Sequence, residues 1–473
     1  MTPPEIVIAI DQGSHGTRAI AFDRQGAMLA ASERPIATHD AGVMVEHDAH
    51  EIVASVRGCV DEVVASLDAP AGTQVHCALA TQRSTIVCWQ RETLTPLVPA
   101  ISWRDRRASA LIDSLSEYAD EVRSLTGLRL SPHYGASKLR WCLDNVPAVA
   151  AAAADGSLAF GPLASYLVAS ITRERQSLVD PANASRTLLY SPASGTWVPK
   201  LLQLFGIEAR WLPQPVSTAW SFGTLSAAGR QLPLTVVTGD QSAVPYAFGA
   251  LDYDTVYINI GTGAFIQKPV ENPVPPPLLT SVIHADANGR RYVMEGAVNG
   301  AGSALNWLAE EQHVDVAACL LQLNADALAH IAPPLFINTV GGLGSPWWCE
   351  GGEPWFSGAG VDDVLRLAAV LESIAFMIAT NLDYIRQCGG APSRLLVTGG
   401  VARSDYLVHA LASVAAVAVM CPQVHEATAR GTAWLAFAEC AEFLPVAMTT
   451  VEPLPCPALA SRYRQWQALM AKR

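Results

Sequence analysis

The sequence predicts an α/β fold in two domains, and three observations carry that expectation. Short apolar runs of strand character alternate with amphipathic helical stretches. The chain has 473 residues, a length suited to two or three domains. A strand–glycine turn–strand unit occurs once in each half, as AIDQGSHGTRAIAF from Ala9 and as YINIGTGAFIQ from Tyr257.

The expected strands are IVIAI, TRAIAF, VHCALA, LTVVTG, DTVYINI, AFIQ, RLLVTG and VAVMCP. Between them, Asp48 to Leu67 places Ile52, Val53, Val56, Val60, Val63, Val64 and Leu67 on one helical face. Val364 to Gly390 reads as a longer, largely buried helix with Gly389 as its stop. Small residues, glycines and a proline interrupt the pattern from Ser217 to Leu234, so the domains are expected to span 1–229 and 230–473. The proline-rich ENPVPPPLLT, from Glu271, reads as a surface loop.

Bulk properties narrow the function. A net charge of -12 argues against a nucleic-acid partner. No apolar run is long enough to span a bilayer. The ten cysteines form no CxxC pair or Cys/His cluster, so neither a zinc site nor a secreted disulfide framework is expected. MTPPEIVIAID lacks the pattern of a signal peptide, and the expectation is a cytoplasmic protein.

The chemistry lies at strand ends. In DQGSHGTR, backbone N–H groups of a glycine-rich turn can form an anion-binding concavity. Ser14, His15 and Thr17 add donors, and Arg18 adds a cation. Asp11 would repel phosphate unless Mg²⁺ lies between them. A plain hairpin with turn residues accounts for the same stretch. Asp240, after the strand LTVVTG, suits a general base; it equally suits a helix N-cap. LLVTGGVARSDYL suits close approach to a ribose or ring, or a simple strand-to-helix turn. Arg83 and Trp103, also at strand ends, suit a small hydroxylated molecule. Arg106 and Arg107 read as a solvated helix start.

These stretches, with LTGLRLSPHYGASKLRWCLDN, VDPANASRTLLY, MEGAVNGAGSALNWL, GGLGSPWW and EATARGTAWLA, run in an order that resembles the FGGY family of carbohydrate kinases, most closely its glycerol kinase branch. The resemblance covers the chain to about Phe437. It implies two actin-like, ribonuclease H-like ATPase domains with an interdomain cleft, acting on ATP, Mg²⁺ and a small polyol or sugar. Glycerol, converted to glycerol 3-phosphate, is the first expectation. It implies Asp240 as base, and Arg83, Ser84, Trp103, His133, Gln241 and Phe265 at the acceptor. It further implies Ser14, His15, Arg18, Gly261, Thr262, Gly302, Asn306, Gly400 and Ser404 at the nucleotide, and Asp11 holding Mg²⁺ through water. A homodimer is among the assemblies it implies.

The chain departs from the branch in ways that bear on substrate. Ser84 stands where those kinases carry a glutamate, and His133 where they carry a tyrosine, with Tyr134 adjacent. His15 replaces a threonine, Asn306 a glutamine and Ser404 an asparagine. Losing a carboxylate that accepts hydrogen bonds costs about 1.5–3 kcal/mol of binding. Ser84 also enlarges the pocket and removes a negative charge, and a protonated His133 would add a positive one. Erythritol, xylulose, or a short sugar acid such as glycerate or a tetronate are therefore alternative acceptors. A non-catalytic ATP-binding module is the alternative from another class.

Overall fold

The computed structural model describes residues 5–70, 72–358, 361–424 and 426–472. Met1–Pro4, at the start of the N-terminal stretch MTPPEIVIAID, lie outside the described residues. The first sheet is built from Ile6–Gln12 (β1), Gly16–Asp23 (β2), Met28–Pro35 (β3), Val75–Thr81 (β4), Ala219–Ala227 (β5) and Arg230–Gly239 (β6). Their spatial order is β5–β6–β4–β1–β2–β3. β1, β4 and β6 run parallel, while β2, β3 and β5 attach as antiparallel hairpin partners. Every residue of β4 is buried, as expected for a central strand covered on both faces.

The helix Ala49–Ser66 begins at Asp48, whose carboxylate accepts from the His50 N–H at 2.7 Å. Its Ile52, Val56, Val60 and Val63 pack in one cluster with Ile8, Ile10, Cys77, Leu79 and Val237 of the sheet. Each such side chain contributes about 1.5–3 kcal/mol when fully buried. Val53 is only half-buried, and Leu67 is the C-cap rather than part of the helix. A smaller antiparallel sheet in the same unit holds Ile86–Gln90, Ala100–Ile101 and Leu158–Pro162.

The second large sheet uses Thr255–Ile260 (β7), Ala264–Val270 (β8), Leu279–Asp286 (β9), Gly289–Val298 (β10), Arg394–Thr398 (β11), Ala418–Pro422 (β12) and Met448–Val451 (β13). The order is β9–β10–β8–β7–β11–β12–β13. β7, β11 and β12 are parallel, and β7–β8 is a hairpin. Both hairpins thus share one design, a first strand that turns back on an antiparallel partner and pairs in parallel on its other side. The long helix Asp363–Gly389 is capped by Asp362 and buried along most of its length.

The domain division differs from the one expected. One compact unit runs through Leu251 and takes in Ser281–Tyr292 and Glu426–Pro445; the other comprises Asp252–Thr280, Val293–His425 and Val446–Arg473. The break expected after residue 229 falls inside the β5–β6 hairpin. Its small residues form an edge hairpin of the first sheet, and β6 pairs in parallel with β4. The stretch from Glu271 is a loop as far as Leu278, where β9 begins one residue later.

In the second unit Glu372 is buried and accepts from Arg462 Nε at 2.8 Å and from Tyr406 Oη at 2.7 Å. This ties the helices Asp363–Gly389, Asp405–Ala415 and Pro457–Met470 together. Arg462→Met would strand a buried carboxylate and destabilise the fold by about 3–5 kcal/mol. Thermal unfolding should record a midpoint lower by several degrees, and an unchanged midpoint would show that the pair contributes nothing net.

Candidate active site

Three of the motifs leave the same edge of one sheet. Gln12 of β1 pairs with Thr81 of β4, which pairs with Gly239 of β6. Neighbouring strands lie about 4.8 Å apart, so Gln12 and Gly239 stand about 10 Å apart. Asp11 lies at the end of β1, Gln82 and Arg83 follow β4, and Asp240 follows β6. The carboxyl edge of parallel strands is where α/β sheets bind ligands, because the strand-to-turn backbone there is free to shape a site.

Asp240 opens a short helical turn, Asp240–Ala243. Its Oδ1 accepts from the Gln241 N–H at 2.7 Å and lies 3.8 Å from Arg83 Nε. Burial raises its pKa, while Arg83, the Gln241 N–H and Arg186 oppose the rise. The Asp11 carboxyl is pushed up to about 7, first by burial and then by the charges of Asp240 and Glu426, with Arg18 opposing. Two carboxyls that sense each other at one sheet edge suit a bound cation, which would favour both charged forms. No cluster of three or more His, Cys, Asp or Glu side chains arranged to hold a metal occurs among the described residues.

In the same unit, Trp103 Nε1 donates to Ser14 Oγ at 2.9 Å, and Ser14 Oγ donates to Gln82 Oε1 at 3.1 Å. The Trp103 ring meets His133 edge-on at 5.9 Å, and His133 meets Tyr134 at 4.8 Å. Ser84 is buried in a left-handed conformation with φ 65, and its carbonyl accepts from Lys138 Nζ at 2.9 Å. The hydroxyls of Ser84, Thr238 and Ser242 are buried with no hydrogen-bond partner among the described residues. His15 is exposed at the tip of the first turn.

Two expectations about charge need correction. Burial, followed by Arg106, Lys138, Arg186 and Arg83, holds the His133 imidazole well below its usual pKa, so it is neutral and adds no positive charge. Arg107 is not solvated: its side chain is 3% exposed, bonds Asp105 and Glu46 at 2.7 Å, and lies over Trp141. Arg106 is exposed, as expected, and donates to the Trp103 carbonyl at 3.0 Å.

In the second unit, Gly261 and Thr262 form the turn between β7 and β8. The Gly302 N–H donates to the Gly261 carbonyl and the Ser303 N–H to the Thr262 carbonyl, each at 2.9 Å. The helix Gly302–Glu310 therefore starts against that turn, with Asn306 exposed one turn along. Gly400 follows β11, the parallel neighbour of β7. Ser404 caps the helix Asp405–Ala415, accepting from the Leu407 N–H at 3.3 Å. Phe265 lies on β8, exposed, in this unit and not in the unit that holds Asp240.

Comparison with known proteins decides the family. The model of the FGGY carbohydrate kinase N-terminal domain matches residues 6–255, and that of the C-terminal domain matches 256–440. The chain belongs to the FGGY family of carbohydrate kinases. It is an ATP-dependent phosphotransferase acting on a small carbohydrate, and each unit is an actin-like α/β domain. A glycerol kinase of Alcanivorax borkumensis is 33% identical over 91% of this chain and 88% of its own length. One of Deinococcus radiodurans is 30% identical over 92% and 89%. Among solved structures, a Plasmodium falciparum glycerol kinase with ADP superposes with a TM-score of 0.87, at 20% identity over 99% of this chain and 98% of its own. A Lactobacillus acidophilus gluconate kinase gives 0.82, at 19% over 99% and 97%. No helix among the described residues of this FGGY kinase is long and apolar enough to cross a membrane.

Sequence reading missed Arg186, which acts on both Asp240 and His133, and Glu426, which acts on Asp11. Arg186 stood inside the DPANASRTLLY motif, and its basic side chain beside a buried turn was the available signal. Gly239 is required by close packing, since a Cβ there would lie 2.6 Å from Arg83 Cγ and Cδ. Gly239→Ala should displace Arg83 and raise the acceptor KM roughly ten- to a hundredfold. Nucleotide affinity measured on the same protein should stay within about twofold; an unchanged acceptor KM would show that Arg83 does not bind the acceptor.

Proposed function

We propose that this kinase transfers the γ-phosphoryl group of ATP to a terminal hydroxyl of glycerol, forming glycerol 3-phosphate and ADP. The observation that carries the reading is the carboxylate of Asp240 beside Arg83, on the sheet edge that also presents Asp11. Glycerol kinases 30–33% identical over nine tenths of the chain support the choice of acceptor. Arg83, Trp103, His133 and Gln241, all in the first unit, bind and orient the polyol, and Ser84 leaves enlarged space beside them. Asp240 takes the proton as the hydroxyl oxygen attacks the γ-phosphorus in line and the bond to the ADP oxygen breaks. In the first unit, Ser14 and His15 of the turn and Arg18 of the strand after it are assigned to phosphate contact; in the second unit, Gly261, Thr262, Gly302, Asn306, Gly400 and Ser404 are assigned to nucleotide contact. Asp11 would hold Mg²⁺ through water, and that ion supplies charge neutralisation on the phosphates. The same reading places the reaction in the cytoplasm, where ATP is made and thiols stay reduced.

A second reading, a short sugar acid as acceptor, is favoured by one specific observation. The charged groups that act on His133 include the guanidiniums of Arg106, Arg186 and Arg83, and Ser84 supplies no carboxylate to offset them. A substrate carboxylate would do so. Initial rates of ADP release with glycerol, erythritol, xylulose and glycerate separate the two. The main reading expects glycerol to have the highest kcat/KM; a preference for glycerate selects the second, and no dependence on any acceptor contradicts both.

Asp240→Asn should lower kcat by about 10²–10⁴-fold with nucleotide binding kept. A near-normal kcat would take Asp240 out of the base role. The pH profile tests its environment. The base works deprotonated, so kcat/KM rises with pH through the Asp240 pKa. Arg186 favours the charged carboxylate, so Arg186→Gln should move the acid limb to higher pH. A limb that stays or moves lower contradicts the assignment.

A further inference from the structure

The segment that re-enters the first unit at Glu426 holds Arg18, on the strand that follows the proposed phosphate turn. Arg18 pairs with Asp11 across β1–β2 and with Glu33 across β2–β3, so these three residues lie in one line across the strands. Arg18 Nη2 donates to Glu33 Oε1 at 3.0 Å, a surface pair in which Glu33 is 57% exposed. A second hold comes from outside the sheet. Arg18 Nη1 donates to both oxygens of Glu426, at 3.3 and 3.2 Å, and the Glu426 side chain is 25% exposed. Glu426 heads the helix Ala427–Phe437. That helix also seats the turn carrying Asp240, because a Cβ on Gly431 would lie 2.0 Å from the Ala243 carbonyl oxygen. Arg430 Nε adds a bond to the Ala247 carbonyl at 3.0 Å.

We propose that Glu426 is a positioning residue, which holds the Arg18 guanidinium in the orientation that meets the nucleotide phosphates. The inference rests on the reading of Arg18 as a phosphate contact. A guanidinium has five N–H donors in a rigid fork, so two carboxylates can orient it and leave donors for an anion. Holding the side chain before the ligand arrives removes part of the ordering cost of binding. A negative charge placed near phosphate would otherwise be unfavourable, and its place in the structure follows from what it does to Arg18.

The test is MgADP affinity by calorimetry on the whole protein, with no polyol present. A wild-type protein that binds no MgADP would overturn the kinase reading before any variant is compared. Glu426→Ala should weaken binding about tenfold, the scale of a lost charged hydrogen bond. Glu426→Gln should restore most of it, because the amide oxygen accepts the same bond. Arg18→Ala should weaken binding, and Glu426→Ala added to it should change nothing further, within about twofold. Wild-type affinity in Glu426→Ala, or the same loss in the Arg18→Ala background, would overturn the proposal.

Discussion

The register between three parallel strands is the constraint on which the rest of the site depends. Gln12, Thr81 and Gly239 lie on one line across β1, β4 and β6, and a slip of one residue in either pairing would turn alternate side chains to the opposite face. That register is held by burial: β4 is covered on both faces, and its apolar residues share a cluster with Ala49–Ser66. The strands therefore deliver Asp11, Arg83 and Asp240 to one edge without any of the three having to stabilise the fold. Chemistry and stability occupy different parts of the same strands.

Charge completes what register begins. Burial pushes the Asp240 carboxyl towards its protonated form; Arg83 and Arg186 oppose that rise and favour the charged carboxylate. Burial, reinforced by the same cations, holds the His133 imidazole well below its usual pKa. Ser84, next to Arg83 in the chain, is buried and carries no charge of its own. This is why a polyol and a sugar acid are the two acceptors worth separating.

Much of this was legible because each motif followed an apolar strand. Every strand expected from the sequence is present, and the two glycine turns were visible from their repeated design. What the sequence hid was long-range. The β5–β6 hairpin is an edge element rich in small residues, and such a stretch has the composition of a linker. Arg107 looked solvated because its partner Glu46 and the ring of Trp141 come from distant segments. Glu426 meets Arg18 across 408 residues of chain, a distance at which no local pattern carries information. The helix that follows it joins the first unit through packing at Gly431, which reads in sequence as an ordinary small residue of a helix.

The central claim is that Asp11 and Asp240 serve one site, and a double-mutant cycle on kcat/KM tests it most directly. Asp11→Asn, Asp240→Asn and the double variant would be assayed with ATP and the best acceptor. Residues that act as a unit are strongly non-additive, so the double variant should be no more than about threefold worse than the poorer single one. Losses that multiply would mean that the two carboxylates act in separate places, which contradicts a shared site.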